Sequence, residues 1–356
     1  MKILQIINNL ETGGAEKLIV DTVPLLVKEG CKVEVLVLNG KGTPFKKKLQ
    51  EKGIKIVALG NSYYNPLYML KIIPLLKNYD VVHAHLFPSF YLVALAAIFT
   101  RKKPKLIFTE HNTNNRRLEQ PVLYILEKFI YSQFHKIICI THEVKNVMVE
   151  KLKISSCKLV VIENGINLED ITSAKPTERS QFGLGNEHKL IIMVAGFRQQ
   201  KDHQTLLRAM KLLPLNYKLL LVGDGEKRNE IEENIIKLGI EQKVKLLGIR
   251  ADVYSLIKMC DIAVLSSHWE GFGLAAAEAM ACGTPTIASN VEGLAQVVEN
   301  GGILFEKCNV DDLKNKILML EDDEVYKHYS ESGIQKSKQY DINLMINKLE
   351  NLYTLL

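Results

Sequence analysis

Short apolar runs at 3–7, 33–38, 55–58, 81–84, 106–109, 137–140 and 159–162 alternate with stretches of helical period along the first half of the chain. The pattern lapses over 164–187, a polar stretch holding Gly165, Pro176, Gly183 and Gly185, and restarts with runs at 190–195, 218–222, 244–247, 262–265, 286–288 and 303–304. Strands that are apolar throughout, separated by amphipathic helices, are those of a parallel sheet covered on both faces. Two such domains are therefore expected, joined by a turn-rich linker with the boundary near residue 170. The run 87–99, broken by Pro88 and Ser89, is too short to span a bilayer and predicts a buried core helix. The last segment, 341–356, sets Leu344, Ile346, Leu349, Leu352 and Leu355 at roughly helical spacing and so predicts an amphipathic helix that needs a partner surface.

A length of 356 residues suits two domains, and 47% hydrophobic with 24% charged residues is ordinary for a globular protein. Six cysteines without a Cys-x-x-Cys pair suit a reducing compartment and read as small buried hydrophobes. The apolar run 3–7 is too short for a signal-peptide core, so a cytoplasmic protein is expected. Charge is uneven: residues 1–170 hold 24 Lys+Arg against 15 Asp+Glu, the remainder 22 against 25. Such a basic half is suited to peripheral contact with anionic lipid, which would put the chain at the inner face of the cell membrane. Nucleic acid is not expected, because no Arg-rich helix or aromatic stacking platform accompanies the charge.

In doubly wound sheets the chemistry gathers in the loops at the carboxyl ends of strands. After the run 262–265 comes Glu270-Gly271-Phe272-Gly273-Leu274-Ala275-Ala276-Ala277-Glu278, a Gly-containing loop opening an alanine-rich helix. Gly271 and Gly273 let the backbone approach a ligand, and the helix start offers unpaired N–H groups to phosphate. Glu270 and Glu278 flank this cradle, and ionised carboxylates accept from hydroxyls while repelling phosphate, so the ligand should be part sugar and part phosphate. After the run 190–195, Gly196-Phe197-Arg198-Gln199-Gln200-Lys201 presents two cations suited to a diphosphate and to charge growing on a leaving group.

Gly13-Gly14 opens the first helix after the first strand, and its N–H groups would face the same cleft, although no full Gly-x-Gly-x-x-Gly fingerprint is present. Strand ends also carry His83 and His85, read as structural, and His111, read as functional. The loop Gly223-Asp224-Gly225-Glu226 either lines the nucleotide site or simply makes a tight turn. There is no Asp-x-Asp triplet and no His/Cys cluster with ligand spacing, so no metal is expected to bridge the phosphates.

With Glu-x7-Glu at 270–278, Gly-Phe-Arg-x-x-Lys at 196–201 and the opening Gly-Gly pair, the chain resembles glycosyltransferase family 4 over nearly its whole length. The resemblance implies the α/β GT-B fold, two Rossmann-like domains with parallel sheets facing across a cleft. Residues 1–168 with the helix 341–356 would form the acceptor domain and 169–340 the donor domain. It further implies a retaining, metal-independent transferase with no cofactor, using a nucleotide-diphosphate sugar, by family habit a UDP-sugar. Glu270 would hold the donor sugar's hydroxyls, Glu278 the ribose, Arg198 and Lys201 the diphosphate, and the backbone of Phe272, Gly273 and Leu274 the sugar and phosphates; Gly13, Gly14, Gly196, Gly223 and Gly271 complete the donor site. His111 is similar to the family's cleft histidine. Asn164-Gly165-Ile166-Asn167 resembles the family's Asn-Gly-Ile-Asp segment, with asparagine where aspartate is usual.

The acceptor implied is a glycan or lipid-linked glycan of surface-polysaccharide assembly. Two other readings share the fold: a nucleotide-sugar 2-epimerase, which would need only the donor, and a catalytically silent scaffold of a glycan-assembly complex. Product analysis with donor alone separates the first, and the joint presence of Glu270, Glu278, Arg198 and Lys201 weighs against the second.

Overall fold

The computed structural model describes residues 1–112 and 120–356. The chain divides into two compact units, Met1–Gly165 with Ile342–Leu356, and Ile166–Asp341. In the first, β1 (Lys2–Ile7), α1 (Gly14–Lys28), β2 (Lys32–Asn39), α2 (Pro44–Glu51), β3 (Ile56–Gly60), α3 (Tyr68–Leu76), β4 (Val81–His85), α4 (Ser89–Ile98), β5 (Lys105–Glu110), α5 (Pro121–Ser132), β6 (Lys136–Cys139), α6 (His142–Leu152) and β7 (Leu159–Val161) follow in alternation. The sheet is parallel throughout in the order β3-β2-β1-β4-β5-β6-β7.

The second unit runs α7 (Leu168–Ser173), β8 (Lys189–Val194), α8 (His203–Leu212), β9 (Tyr217–Val222), α9 (Arg228–Leu238), β10 (Val244–Gly248), α10 (Val253–Met259), β11 (Ile262–Leu265), α11 (Leu274–Ala281), β12 (Thr286–Ser289), α12 (Ala295–Val298), β13 (Ile303–Phe305), α13 (Val310–Met319) and α14 (Asp323–Ser337). Its parallel sheet has the order β10-β9-β8-β11-β12-β13. The chain closes with α15 (Ile342–Thr354), which belongs to the first unit and packs on α1.

The strand-alternating side chains of β8 show why its sequence is apolar without a break. Ile191 and Met193 enter one core with α8 and α13, while Leu190 and Ile192 enter another with α10 on the opposite face. Each is buried, and burial of a Leu- or Ile-sized side chain stabilises by about 1.5–3 kcal/mol, so both sheet faces reward an apolar residue.

Four sequence expectations need correction. Cys157 and Cys308 are exposed rather than buried. Phe99 is exposed just past the end of α4, although Phe90, Val93 and Ala97 of that helix are buried as a core helix requires. In α15, Leu344 faces outward, Leu355 lies exposed past the helix end, and the buried stripe is Ile342, Met345, Ile346, Leu349, Leu352 and Tyr353. The linker 164–187 is not wholly irregular, since Asn167 caps α7 by accepting from the Asp170 N–H at 3.0 Å, a job its oxygen does as well as an aspartate's. Among the described residues no helix is long and apolar enough to cross a membrane.

Candidate active site

In both sheets the strand order reverses beside the first strand of its unit, between β1 and β4 and between β8 and β11. Helices and loops leave to opposite sides at such a point and open a crevice at the carboxyl ends of the strands. The predicted site residues of each unit lie at these ends.

In the second unit the loop after β8 and the loop after β11 are tied together. The His268 N–H donates to the Gln200 carbonyl at 2.8 Å, and Gln200 Nε2 donates to the Trp269 carbonyl at 2.9 Å. That clamp brings together two residues 69 positions apart: Lys201 Nζ donates to Glu270 Oε1, which also accepts from Ser267 Oγ at 2.8 Å. Glu270 is buried and Lys201 partly so. The two cations of the predicted diphosphate site have different surroundings. Lys201 faces a carboxylate, while Arg198 is exposed and has no carboxylate partner among the described residues.

Beyond Glu270 the chain enters α11 through Gly273, whose φ of +89° is one that a side chain rarely tolerates. No side chain caps the start of α11, so its first N–H groups at Leu274 and Ala275 keep their capacity for an anion. Gly271 and Phe272 are buried, and the Phe272 ring packs edge-on against Tyr340 at 5.1 Å. One turn into the helix Glu278 is buried too, and accepts from Tyr254 Oη at 3.1 Å. Ser267 and Tyr254, which hold the two glutamates, carry no motif and were not legible in the sequence.

The Gly223-Asp224-Gly225 loop packs directly on the Gly196-Phe197 segment: the Phe197 N–H donates to the Asp224 carbonyl at 3.0 Å. A Cβ on Gly223 would lie 2.0 Å from the Ala195 carbonyl oxygen, and one on Gly225 2.5 Å from that of Phe197. Both glycines are thus required by close backbone approach beside the site, whereas a Cβ on Gly196 would meet nothing nearer than 3.6 Å. Gly223→Ala is expected to cost about 1–3 kcal/mol, measured by urea unfolding, because backbone rather than a flexible side chain must give way.

In the first unit Gly13 is the extended N-cap of α1 and Gly14 its first residue, again without a side-chain cap. His111 follows β5 and is, among the described residues, the end of a hydrogen-bonded chain. The Gln5 amide nitrogen donates to Tyr353 Oη at 3.2 Å, so its oxygen accepts from His85 Nε2 at 2.8 Å. His85 Nδ1 is then bare and accepts from His111 Nε2 at 3.3 Å, which leaves His111 Nδ1 without a proton and able to accept. Tyr353 Oη in turn donates to His83 Nδ1 at 2.7 Å, and His83 Nε2 donates to Thr109 Oγ1 at 2.6 Å. Burial lowers the imidazole of His111 to about 4 and that of His83 to about 3, and holds His85 well below its usual value, so the relay is neutral near pH 7. His83 and His85 are structural in the sense expected, but they also fix the tautomer of His111, and Tyr353 ties the predicted terminal helix to them.

Comparison with known proteins identifies the family of the chain. The family model for Glycosyltransferase Family 4 matches residues 12–170 and that for Glycosyl transferases group 1 matches residues 174–337. A glycosyltransferase of uncharacterised activity from Methanocaldococcus jannaschii is 31% identical over 288 residues, covering 78% of this chain and 76% of its own. The Escherichia coli UDP-Gal:α-D-GlcNAc-diphosphoundecaprenol α-1,3-galactosyltransferase is 29% identical over 303 residues, 80% of this chain and 78% of its own. Anabaena HepE, solved in complex with UDP-glucose, superimposes with a TM-score of 0.89 at 23% identity, covering 100% of both chains. With the GT-B fold, its two parallel Rossmann-like sheets and these relatives, the chain belongs to glycosyltransferase family 4.

Proposed function

We propose that this chain is a retaining, metal-independent transferase that moves a sugar from a UDP-sugar to a hydroxyl of a lipid-linked glycan in surface-polysaccharide assembly. The observation that carries the reading is the Lys201–Glu270 pair beside the uncapped start of α11. A carboxylate suits sugar hydroxyls, and an ammonium beside a helix N-terminus suits phosphate. The point where the two meet is the place for the bond from the anomeric carbon to the diphosphate oxygen. That bond breaks with its electron pair passing to the diphosphate. The acceptor oxygen bonds the anomeric carbon on the same face, and its proton passes to the departing diphosphate oxygen. Lys201, Arg198 and the N–H groups of Leu274 and Ala275 stabilise the charge that develops, so no divalent ion is required. Glu278, held by Tyr254, takes the ribose hydroxyls, and His111 Nδ1 accepts from a sugar hydroxyl.

The acceptor class is supported by relatives named for undecaprenyl-diphosphate-linked sugars in Escherichia coli and Campylobacter jejuni. It is also supported by α5, which exposes Ile125, Leu126 and Phe129 beside Lys128, a combination suited to lying on an anionic lipid surface at the inner face of the cell membrane. In the presence of chelator, UDP is expected to raise the melting temperature where GDP and ADP do not, since a ligand that binds the native state stabilises it. Incubation with UDP-sugars and a lipid-diphosphate-linked glycan should then give an α-linked product. A product from donor alone would point to the 2-epimerase, and nucleotide binding without any product to the silent scaffold.

A further inference from the structure

The loops that build the donor site also bring together three side chains that the proposed transfer does not use. Asp202 follows Lys201, His268 precedes Trp269 and Glu270, and Cys308 lies in the loop after β13. Their donor atoms all lie within 4.8 Å of one another. His268 Nδ1 is 3.6 Å from Asp202 Oδ2 and 3.5 Å from Cys308 Sγ. A tetrahedral Zn²⁺ with Zn–S near 2.3 Å and Zn–N and Zn–O near 2.1 Å separates sulfur from nitrogen by about 3.6 Å and nitrogen from oxygen by about 3.4 Å.

Two of the three edges therefore already have the length a zinc ion imposes, and the exposed Cys308 is the ligand with most freedom to complete the third. The Asp202 carboxylate is held in place independently: it caps α8, with Oδ1 accepting from the Thr205 N–H at 3.2 Å and Oδ2 from Thr205 Oγ1 at 2.6 Å. Thr205 thereby holds the Asp202 carboxylate from behind, as the outer-shell partner of a ligating carboxylate does. One thiolate, one imidazole and one carboxylate select a borderline-soft ion, and exclude Mg²⁺ and Ca²⁺, which take oxygen ligands.

We propose that Asp202, His268 and Cys308 form a Zn²⁺ site with a fourth position left to water, distinct from the diphosphate site. Binding transfers the Cys308 thiol proton to solvent and forms the Zn–S bond, with no change of oxidation state. The ion would join the loops that carry Lys201 and Glu270 to the loop after β13, and so brace the donor site from behind rather than act on the sugar. Spacing in the sequence could not show it, because the ligands are 66 and 40 residues apart and come from three different strand ends.

The test uses the reduced, metal-free full chain titrated with Co²⁺. A thiolate-to-cobalt charge-transfer band should grow in the near ultraviolet, saturate at equimolar metal and vanish on addition of Zn²⁺. Cys308→Ser should abolish it, whereas Cys157→Ser, at the other exposed cysteine, should leave it intact. His268→Ala should weaken binding at least about tenfold, and Thr205→Val, which removes only the supporting hydroxyl, by roughly 10–100-fold. Circular dichroism should be unchanged in the Cys308 and His268 variants. No band in the native chain, or a band that survives Cys308→Ser, overturns the site; neither result bears on donor binding, which the nucleotide screen reads separately.

Discussion

Lys201→Ala is expected to lower turnover by about 10²–10³-fold while the affinity for UDP changes by less than about fivefold, since Lys201 is proposed to act on charge that appears only as the diphosphate departs. Lys201 pairs with the carboxylate of Glu270, which is buried. Removing Lys201 takes a charged donor from that buried carboxylate, which keeps Ser267 Oγ at 2.8 Å, so some loss of stability is expected too, and turnover should be measured below the variant's own melting temperature. Lys201→Arg should restore only part of the rate: it keeps the charge but replaces a compact ammonium by a planar fork. Isothermal titration with UDP and steady-state kinetics with donor and acceptor separate the two effects. A variant that turns over within about threefold of the native rate would remove Lys201 from the mechanism, and one that simply fails to bind UDP would make it a ground-state ligand.

The same pair shows how far the sequence could be read. Every strand was visible as a short apolar run because both faces of each sheet are buried, and the site loops were visible because a parallel sheet places them at known strand ends. Which side chains meet across those loops was not visible. Lys201 and Arg198 are three residues apart, and only the fold shows that the 3-10 turn at Gln199–Lys201 brings Lys201 to Glu270 while Arg198 is exposed. Gly223 and Gly225 could be read as turn formers or as ligand contacts, and close backbone packing gives a third reason for them. Tyr254 and Ser267 lie in no motif, because a residue that positions another is defined by where the fold puts its hydroxyl and not by its neighbours in the chain. Leu344 and Leu355 are exposed for simpler reasons: α15 ends before Leu355, and its buried stripe passes beside Leu344 to take in Met345 and Tyr353, the second for its hydroxyl as much as its ring.

That hydroxyl belongs to the network whose consequence is easiest to measure. His83, His85 and His111 are neutral in the folded first unit, with values of about 3 for His83 and about 4 for His111, all lowered chiefly by burial. In the unfolded chain a histidine titrates near 6.5. Above about pH 6.5 both states are neutral, and the network's contribution to stability is fully present. As pH falls from there toward 4 the unfolded chain takes up protons that the folded unit refuses, so stability falls, by about 1.4 kcal/mol per pH unit for each histidine and about 4 kcal/mol per unit for the three together. Urea unfolding followed by circular dichroism between pH 7 and 5 should show this steep loss; His203 of the second unit, lowered to about 4, adds to it. Trp269 is the single tryptophan and lies in the second unit, so its fluorescence reports that unit and lets the transition of the first be told apart. Replacing His83 by glutamine should reduce the slope by about one histidine's share even though it also lowers the stability at pH 7, because the slope counts protons and not contacts. A stability that stays level from pH 7 to pH 5 would mean that these imidazoles are charged in the folded chain. The donor–acceptor order from Gln5 to His111, and with it the unprotonated Nδ1 assigned to His111, would then fall.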